Sequence, residues 1–369
     1  MCNIVLGARI ERALWAAQRD GGWNCKGARN ARPNMIEEQY GTYVDRSCDR
    51  AAYSRKVSSF LTRSSLASHF ITCYNAKKEK ARYTAMGKVI REKCHATVYE
   101  IIGIGAEKMQ VILKADIIQK LKEIGLEGGD NVIVHTSLKS MGYVCGGAQT
   151  VIEALIEVVG ENGTIMMPTQ SWKNLDPETG VHGEADEKDW PLIRENWPAY
   201  DSKLTPTNTM GAVAEMFRRW PGSIRSEHPA RSVCAWGKNA VYLTQNHDLS
   251  DIFGESSPLA KLYALNGKVL LLGTGYNKNT SIHLADVRAK YAGKHMCTEH
   301  SAILENGKRV WKAYETLFVD GEDFEQIGAD FEKEHAVGMT QIGNAAVRLM
   351  RQRELVDYAV AWIEENRKG

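Results

Sequence analysis

The chain has 369 residues, 43% hydrophobic and 25% charged, which excludes a wholly disordered polypeptide and leaves room for one large core or two modest ones. No run of about eighteen apolar residues occurs, and Arg9, Glu11 and Arg12 interrupt the opening segment, so neither a membrane span nor a secretory signal fits and the cytoplasm is the expected compartment. The net charge of +2 conceals an asymmetry: residues 1–108 hold 19 Lys+Arg against 10 Asp+Glu, whereas the remainder holds 28 against 35 and suits a cationic ligand.

Residues 1–108 show no sustained period, and Gly and Pro punctuate Gly21 to Asn34, so this segment is expected to be a poorly structured, dispensable extension of a domain spanning 109–369. Its basic charge lacks the aromatic interleaving or helix-turn-helix pattern of a nucleic-acid binder, and no nucleic-acid or membrane partner is expected. The eight cysteines, five of them in this segment, form no CxxC pair and read as reduced thiols rather than zinc ligands or a disulfide framework.

From Met109 the punctuation becomes regular. Ile118, Leu121 and Ile124 mark a helix, and Val132 to His135 form an apolar strand. A Gly-rich turn (Gly142 to Gly147), an amphipathic helix (Thr150 to Val159) and the strand Ile165 to Met167 follow, a strand, helix, strand unit that predicts a parallel pair. Trp172 to Asp201 has little period and mixes eight acidic residues with three tryptophans and Tyr200, a suitable surface for a polyamine. Thr209 to Trp220 predicts a helix, Lys268 to Leu272 a buried strand, and Thr280 to Arg288 a helix after a loop. Asn306-Gly307 between strand-like runs signals a hairpin, and Ile342 to Arg367 reads as two successive helices. The alternation predicts an α/β sandwich.

Three segments carry candidate chemistry. "VIVHTSLKSMGYVCGG" (Val132 to Gly147) ends a strand at His135 and leads through glycines into a helix, where backbone N–H groups suit a pyrophosphate, although a tight structural turn has the same pattern. Leu204 to Gly237 packs Arg225, Ser226, Glu227, His228 and Ser232 into one polar loop whose burial needs partners. Lys268 to Tyr291 runs from a buried strand to His283 in the first turn of a helix, with Asp286 three residues on, an arrangement open to base catalysis. A metal reading of that pair lacks a second histidine at short spacing, so no metal is expected.

In order, "VHTSL…GG", "TPT..MG", "RSEHP..S..AWG", "ESSPLAKL…GKVLLLG" and "NTSIHLAD" resemble the antibiotic N-acetyltransferase family that includes the aminoglycoside 3-N-acetyltransferases, from Met109 to about Tyr358. The resemblance implies an α/β sandwich with a mixed sheet and an acyltransferase that moves the acetyl group of acetyl-CoA to the 3-amine of a 2-deoxystreptamine aminoglycoside, giving antibiotic resistance. It places the catalytic base at His283, its carboxylate partner at Asp320 with Glu322 and Asp323 as rivals, and His228 in the same group. Ser137, Leu138, Lys139, Gly142, Thr205, Thr207, Met210 and Gly211, with His135, are implied at the coenzyme. Asp176 and Asp201 are implied at the aminoglycoside's ammonium groups together with Asp286, which replaces the Glu more usual in the motif. Other readings are the acetylation of another amine, a CoA-binding protein without catalysis, and a relay through Cys145 or Cys234. A homodimer is allowed.

Overall fold

The computed structural model describes residues 110–368, so the expectation for residues 1–108 lies outside the described residues. The order begins β1 (Val111–Ile112), α1 (Lys114–Glu123), β2 (Asn131–Thr136), α2 (Leu138–Met141), β3 (Tyr143–Val144), α3 (Gly147–Val159) and β4 (Thr164–Pro168). It continues with α4 (Trp190–Asn196), α5 (Gly211–Phe217), β5 (Ile224–Arg225), β6 (Val233–Gly237), α6 (Ala240–Thr244), α7 (Pro258–Ala264), β7 (Lys268–Leu272) and α8 (Ile282–Arg288). The long hairpin β8 (Met296–Glu305) and β9 (Lys308–Leu317), then α9 (Phe324–Glu334), β10 (Gly338–Ile342), β11 (Ala345–Arg351) and α10 (Gln352–Asn366), complete it.

Seven strands form one mixed sheet in the order β10, β11, β7, β2, β4, β6, β5. Its centre is parallel, with Val132 opposite Ile165 and Ile133 opposite Val269, while β11, β6 and the outer strands run antiparallel. The expected parallel pair is therefore β2 and β4. Because side chains alternate across a strand, Val132, Val134, Leu270 and Leu272 enter one core beneath α1, α3 and α5. Ile133, Met166, Val269 and Leu271 enter the other, which is closed by α6 to α10. Both faces of the central strands are buried, as parallel strands require. The result is the expected α/β sandwich with a mixed sheet.

Local chemistry explains several boundaries. Asp116 accepts from the Leu113 N–H at 2.8 Å and fixes the start of α1. Gly160, at φ +64, ends α3. Asn306 (φ +51) and Gly307 (φ +74) supply the two left-handed residues that a two-residue hairpin needs, and Glu305 pairs with Lys308 across them.

The expected pair of helices at the end is corrected. Ile342 closes β10, and Ala345–Arg351 is a sheet strand in which Ala345, Val347 and Leu349 are buried alternately, so only α10 is helical. The helix expected at 209–220 shortens to Gly211–Phe217. Trp172 to Asp201 is also not structureless: it folds into three short 3-10 turns and α4, held to the β8–β9 hairpin by a Leu175–Ser301 bridge and a Tyr200 N–H to Ala302 carbonyl bond of 2.8 Å.

Gly273 joins the end of β7 to the loop after β2. It sits at φ +76, and a Cβ there would lie 2.0 Å from Ser140 Oγ and 3.0 Å from the Ala345 Cβ. Gly273→Ala is expected to destabilise the domain by about 2 kcal/mol or more, combining left-handed strain with overpacking, which a thermal melt reads as a fall of roughly 4 °C or more.

Candidate active site

The three parallel strands end together, at Thr136, Pro168 and Leu272, and the chain segments that leave them build the site. After β2, the Ser137 N–H donates to the Leu272 carbonyl at 2.9 Å, and Ser140 Oγ donates to the carbonyls of Ser137 (2.8 Å) and Gly273 (2.9 Å). These bonds lay Ser137, half-buried Leu138, exposed Lys139 and Gly142 over the ends of β2 and β7. Gly142 takes φ +94, and Gly146 and Gly147 carry positive φ into the start of α3.

After β4, Thr169, Gln170 and Ser171 are buried and bind back to β6 and its preceding loop, through Thr169 N–H to Ser232 O and Ser171 N–H to Ala230 O, each 2.9 Å. Arg225 sits behind them, with no carboxylate partner among the described residues. Its guanidinium donates to Thr205 O (2.6 Å), Ser171 Oγ (2.8 Å), Ser232 Oγ (3.0 Å) and the Thr169 carbonyl, so it ties this strand end to the loop carrying Thr205 and Thr207. Thr207 donates through N–H and hydroxyl to Glu215 in α5, at 3.0 and 2.9 Å. Met210 and Gly211 open α5, and a Cβ on Gly211 would lie 3.7 Å from the Thr136 carbonyl. The structure thus gathers the two sequence-distant groups expected at the coenzyme along one edge of the sheet.

His283 lies in the first turn of α8. Its ring stacks on Phe253 (4.5 Å between centroids, 4° between planes) and meets the edge of Phe324 at 4.7 Å, leaving its side chain 19% exposed. Asp286, one turn on, is fully buried with Oδ2 3.9 Å from His283 Nδ1. That is ion-pair range but beyond a hydrogen bond, so both atoms have no hydrogen-bond partner among the described residues. The other oxygen is loaded: Asp286 Oδ1 accepts from Arg367 Nη1 at 2.5 Å and from the Tyr291 hydroxyl at 2.8 Å. Burial alone would push the Asp286 carboxyl up, but His283, Tyr291 and Arg367 hold it below the usual carboxylate range. Burial pulls His283 down, Asp286 opposes this, and Arg231 and Arg367 add to the fall.

A carboxylate other than the expected Asp320 faces His283. Asp320 is exposed, and its Oδ1 accepts the Glu322 N–H at 2.9 Å in a local turn. The carboxylate facing the imidazole is Asp286, because i,i+3 spacing puts both on one side of α8. The rival Asp323 instead receives a two-point contact from Arg367, at 2.7 and 2.8 Å.

His135 and His228 are both buried with Nε2 unpartnered among the described residues. His228 Nδ1 accepts the N–H groups of Ala230 and Arg231 (3.2 and 3.0 Å), which fixes the proton of the neutral ring on Nε2. Its ring touches His247 at 4.8 Å and the edge of Tyr314 at 6.0 Å. Beside it Arg231 pairs with Glu299 at 2.7 Å and lies over Trp172. Asp176 is not open to a ligand: it is buried, and Arg194 grips both its oxygens at 2.8 Å. Asp201 Oδ1 accepts the N–H groups of Lys203 (2.8 Å) and Leu204 (2.9 Å), closing a turn, and it remains half-buried.

A family model described as aminoglycoside 3-N-acetyltransferase matches residues 133–364, from within β2 to within α10. The chain belongs to that family. It is 43% identical over 254 residues to the SPbeta prophage-derived aminoglycoside N(3')-acetyltransferase-like protein YokD of Bacillus subtilis, covering 69% of this chain and 93% of the relative. The YokD crystal structure superposes with a TM-score of 0.67 over the same shares. A structure of AAC-VIa bound to sisomicin is 30% identical, with a TM-score of 0.64 over 70% of this chain and all of that one. The AAC-IIIb binary complex with CoASH is 26% identical, with a TM-score of 0.62 over 70% of this chain and 98% of that one.

Within this family member, the sequence singled out His283 and the two loops expected at the coenzyme, but not Arg367, Tyr291, Phe253 and Phe324, which the structure places around the histidine and Asp286. Only Phe324, beside the acidic run Asp320 to Asp323, carried a local signal. Tyr291 lies five positions from Asp286, whereas Arg367 and Phe253 come together with the histidine through tertiary packing.

Burial holds several histidines neutral: His135 is pulled down to about 3, His247 to about 4, and His228 well below its ordinary value. A folded pKa below the unfolded one means that the unfolded chain binds more protons in between. Stability is therefore full above about pH 6.5 and lost as pH falls below it, at up to ~1.4 kcal/mol per pH unit for each such histidine. Thermal melts are expected to be level from pH 8.5 to 7 and to fall steadily from pH 6.5 to 5. A melting temperature that holds to pH 5 contradicts neutral burial.

Proposed function

We propose that the chain transfers the acetyl group of acetyl-CoA to the 3-amine of a 2-deoxystreptamine aminoglycoside, with His283 as general base. Family membership makes it an acyltransferase, and the sisomicin-bound and CoASH-bound relatives support both substrates. The observation that carries the residue assignment is the partly exposed His283 imidazole, backed by buried Asp286 and gripped between two aromatic rings at the carboxyl edge of the parallel strands.

The loop Ser137–Gly142 and the glycines opening α3 offer backbone close to solvent, with nothing within 4 Å of a Cβ placed on Gly147, which suits an elongated coenzyme and its pyrophosphate. Asp286 orients Nδ1–H toward itself and leaves Nε2 as the base. As the amine nitrogen attacks the thioester carbonyl, Nε2 takes the amine proton. The tetrahedral intermediate then collapses, the C–S bond breaks, and the CoA thiolate leaves and recovers that proton. The reaction needs no covalent enzyme intermediate. Cys234 supports this: it is buried and its thiol is pushed up to about 12 by burial, so little thiolate exists at neutral pH.

Ammonium recognition falls to groups that retain free oxygens, Asp201 and the exposed Glu178 and Glu227, rather than to Asp176. The excess of acid over base in 109–369 supports long-range attraction of a polycation. The same reading makes the protein a cytoplasmic resistance enzyme. Among the described residues no helix is long and apolar enough to cross a membrane.

Release of CoA thiol from acetyl-CoA by the full chain, with a panel of aminoglycosides and simpler amines, tests the proposal. His283→Ala is expected to lower kcat by ~10²–10⁴-fold. No turnover with any aminoglycoside by folded protein overturns the substrate assignment.

The acid limb of kcat/KM is expected below pH 6.5, since the His283 pKa lies under its ordinary value. Asp286→Asn removes the group that raises that pKa, so the limb moves to still lower pH while kcat falls. Asp320→Asn leaves both in place, and the reverse pattern returns the partner role to Asp320.

A further inference from the structure

The grip of Arg367 on Asp286 points to a role that the chemistry so far leaves unassigned. Arg367 follows the last residue of α10 and reaches back with its guanidinium 17% exposed. Nε and Nη2 engage Asp323 at 2.7 and 2.8 Å, Nη1 engages Asp286 Oδ1 at 2.5 Å, and the cation lies 4.9 Å from the Tyr291 ring. One cation thus bridges a half-buried carboxylate and a fully buried one, and the buried one faces the base.

We propose that Arg367 is a positioning residue for His283, acting through Asp286: by occupying Oδ1 together with Tyr291, it leaves Oδ2 as the acceptor for the imidazole Nδ1–H and so fixes which ring nitrogen is the base. The proposal rests on His283 being the base of the acetyl transfer. An unclamped carboxylate would rotate about its terminal torsion and offer either oxygen, and its charge would be less neutralised. The planar fork explains why arginine serves: two nitrogens anchor on Asp323, which leaves the third aimed at Asp286. Anchoring matters because Asp286 sits within the short helix α8, whereas Asp323 precedes α9, so the guanidinium at the end of α10 links α8 to the start of α9 beside the base.

The charges around the base set the sign of the test. Asp286 raises the His283 pKa, and Arg231 and Arg367 lower it, while Phe253 and Phe324 cover the ring without charge. Tyr291, Arg367 and Lys294 are the polar groups that feel the Asp286 charge. Removing the arginine deletes one repulsive cation and frees the attraction of Asp286, so the His283 pKa rises. This is opposite in sign to Asp286→Asn.

Arg367→Gln is expected to move the acid limb of kcat/KM upward by about one pH unit and to lower kcat by roughly 10-fold or more through misalignment, with KM for acetyl-CoA and the amine within about twofold of wild type. Arg367→Lys keeps the charge and loses the fork, so the limb stays and kcat still drops. Imidazole nitrogen NMR of the full chain reads the same arm without turnover. Wild type is expected to show protonated Nδ1 and a free Nε2 lone pair, and Arg367→Gln a mixture of tautomers and a raised pKa. If no amine is acetylated, the function assignment fails and the NMR arm still decides the clamp. Wild-type tautomer, pKa and kcat in folded Arg367→Gln overturn it. Should that variant not fold, wild-type kcat in Arg367→Lys overturns it equally.

Discussion

Three neighbouring parallel strands, β7, β2 and β4, finish at one edge of the sheet, and the functional half of the molecule depends on that coincidence. Their side chains alternate into two cores, so Val132, Val134 and Leu270 anchor one layer of helices while Ile133, Val269 and Leu271 anchor the other. Neither face is free to bind anything large. The polar chemistry is forced to the strand ends, where Ser137, Thr169 and Gly273 begin loops, the first and last tied together through Ser140 Oγ and the second bound to Ser232. A shift of one strand by a single residue would exchange its two faces, which makes the position of these loops as firm as the core itself.

Onto this edge the protein places an expensive group. A fully buried carboxylate costs several kcal/mol unless it is paired and hydrogen-bonded, and Asp286 receives Arg367 and Tyr291 on one oxygen while the other faces His283. The unused hydrogen-bonding capacity sits on the side of the imidazole. A purely structural ion pair would gain by satisfying both oxygens. Leaving Oδ2 and Nδ1 at 3.9 Å fits a pair that tightens when positive charge develops on the ring.

Much of this was legible in the amino acids. Val132 to His135, the α3 amphipathic stretch and Asn306-Gly307 announce themselves because each obeys a local rule of period or turn. Ala345–Arg351 was misread as helix because its alternation is short and its Arg348 is half-buried beside Glu332, so the polar positions do not mark a clean outer face. The site divides in the same way. His283 and Asp286 are legible as neighbours on one turn, whereas Arg367 lies 81 positions from the carboxylate it grips and no local pattern announces it. Asp320 shows the converse: a polar, Gly-containing turn satisfies its side chain locally, through the Glu322 N–H.

The acid-rich segment 172–201 joins the two lessons. Its composition suggested a polyamine surface, yet the fold spends Asp176 on Arg194, and Glu184 meets Lys173. Arg309 from β9 then donates to the carbonyls of Trp197 and Arg194, so a cation of the hairpin pins the segment to it. Counted as charge, these pairs largely cancel at contact range. A multiply charged ligand approaching from beyond about a Debye length, ~8–10 Å in physiological salt, meets the summed field rather than individual partners. The excess acid of the domain is therefore felt at long range, whereas at contact range most of the segment's named carboxylates are already met by a neighbouring cation, Glu178 by Arg194 included.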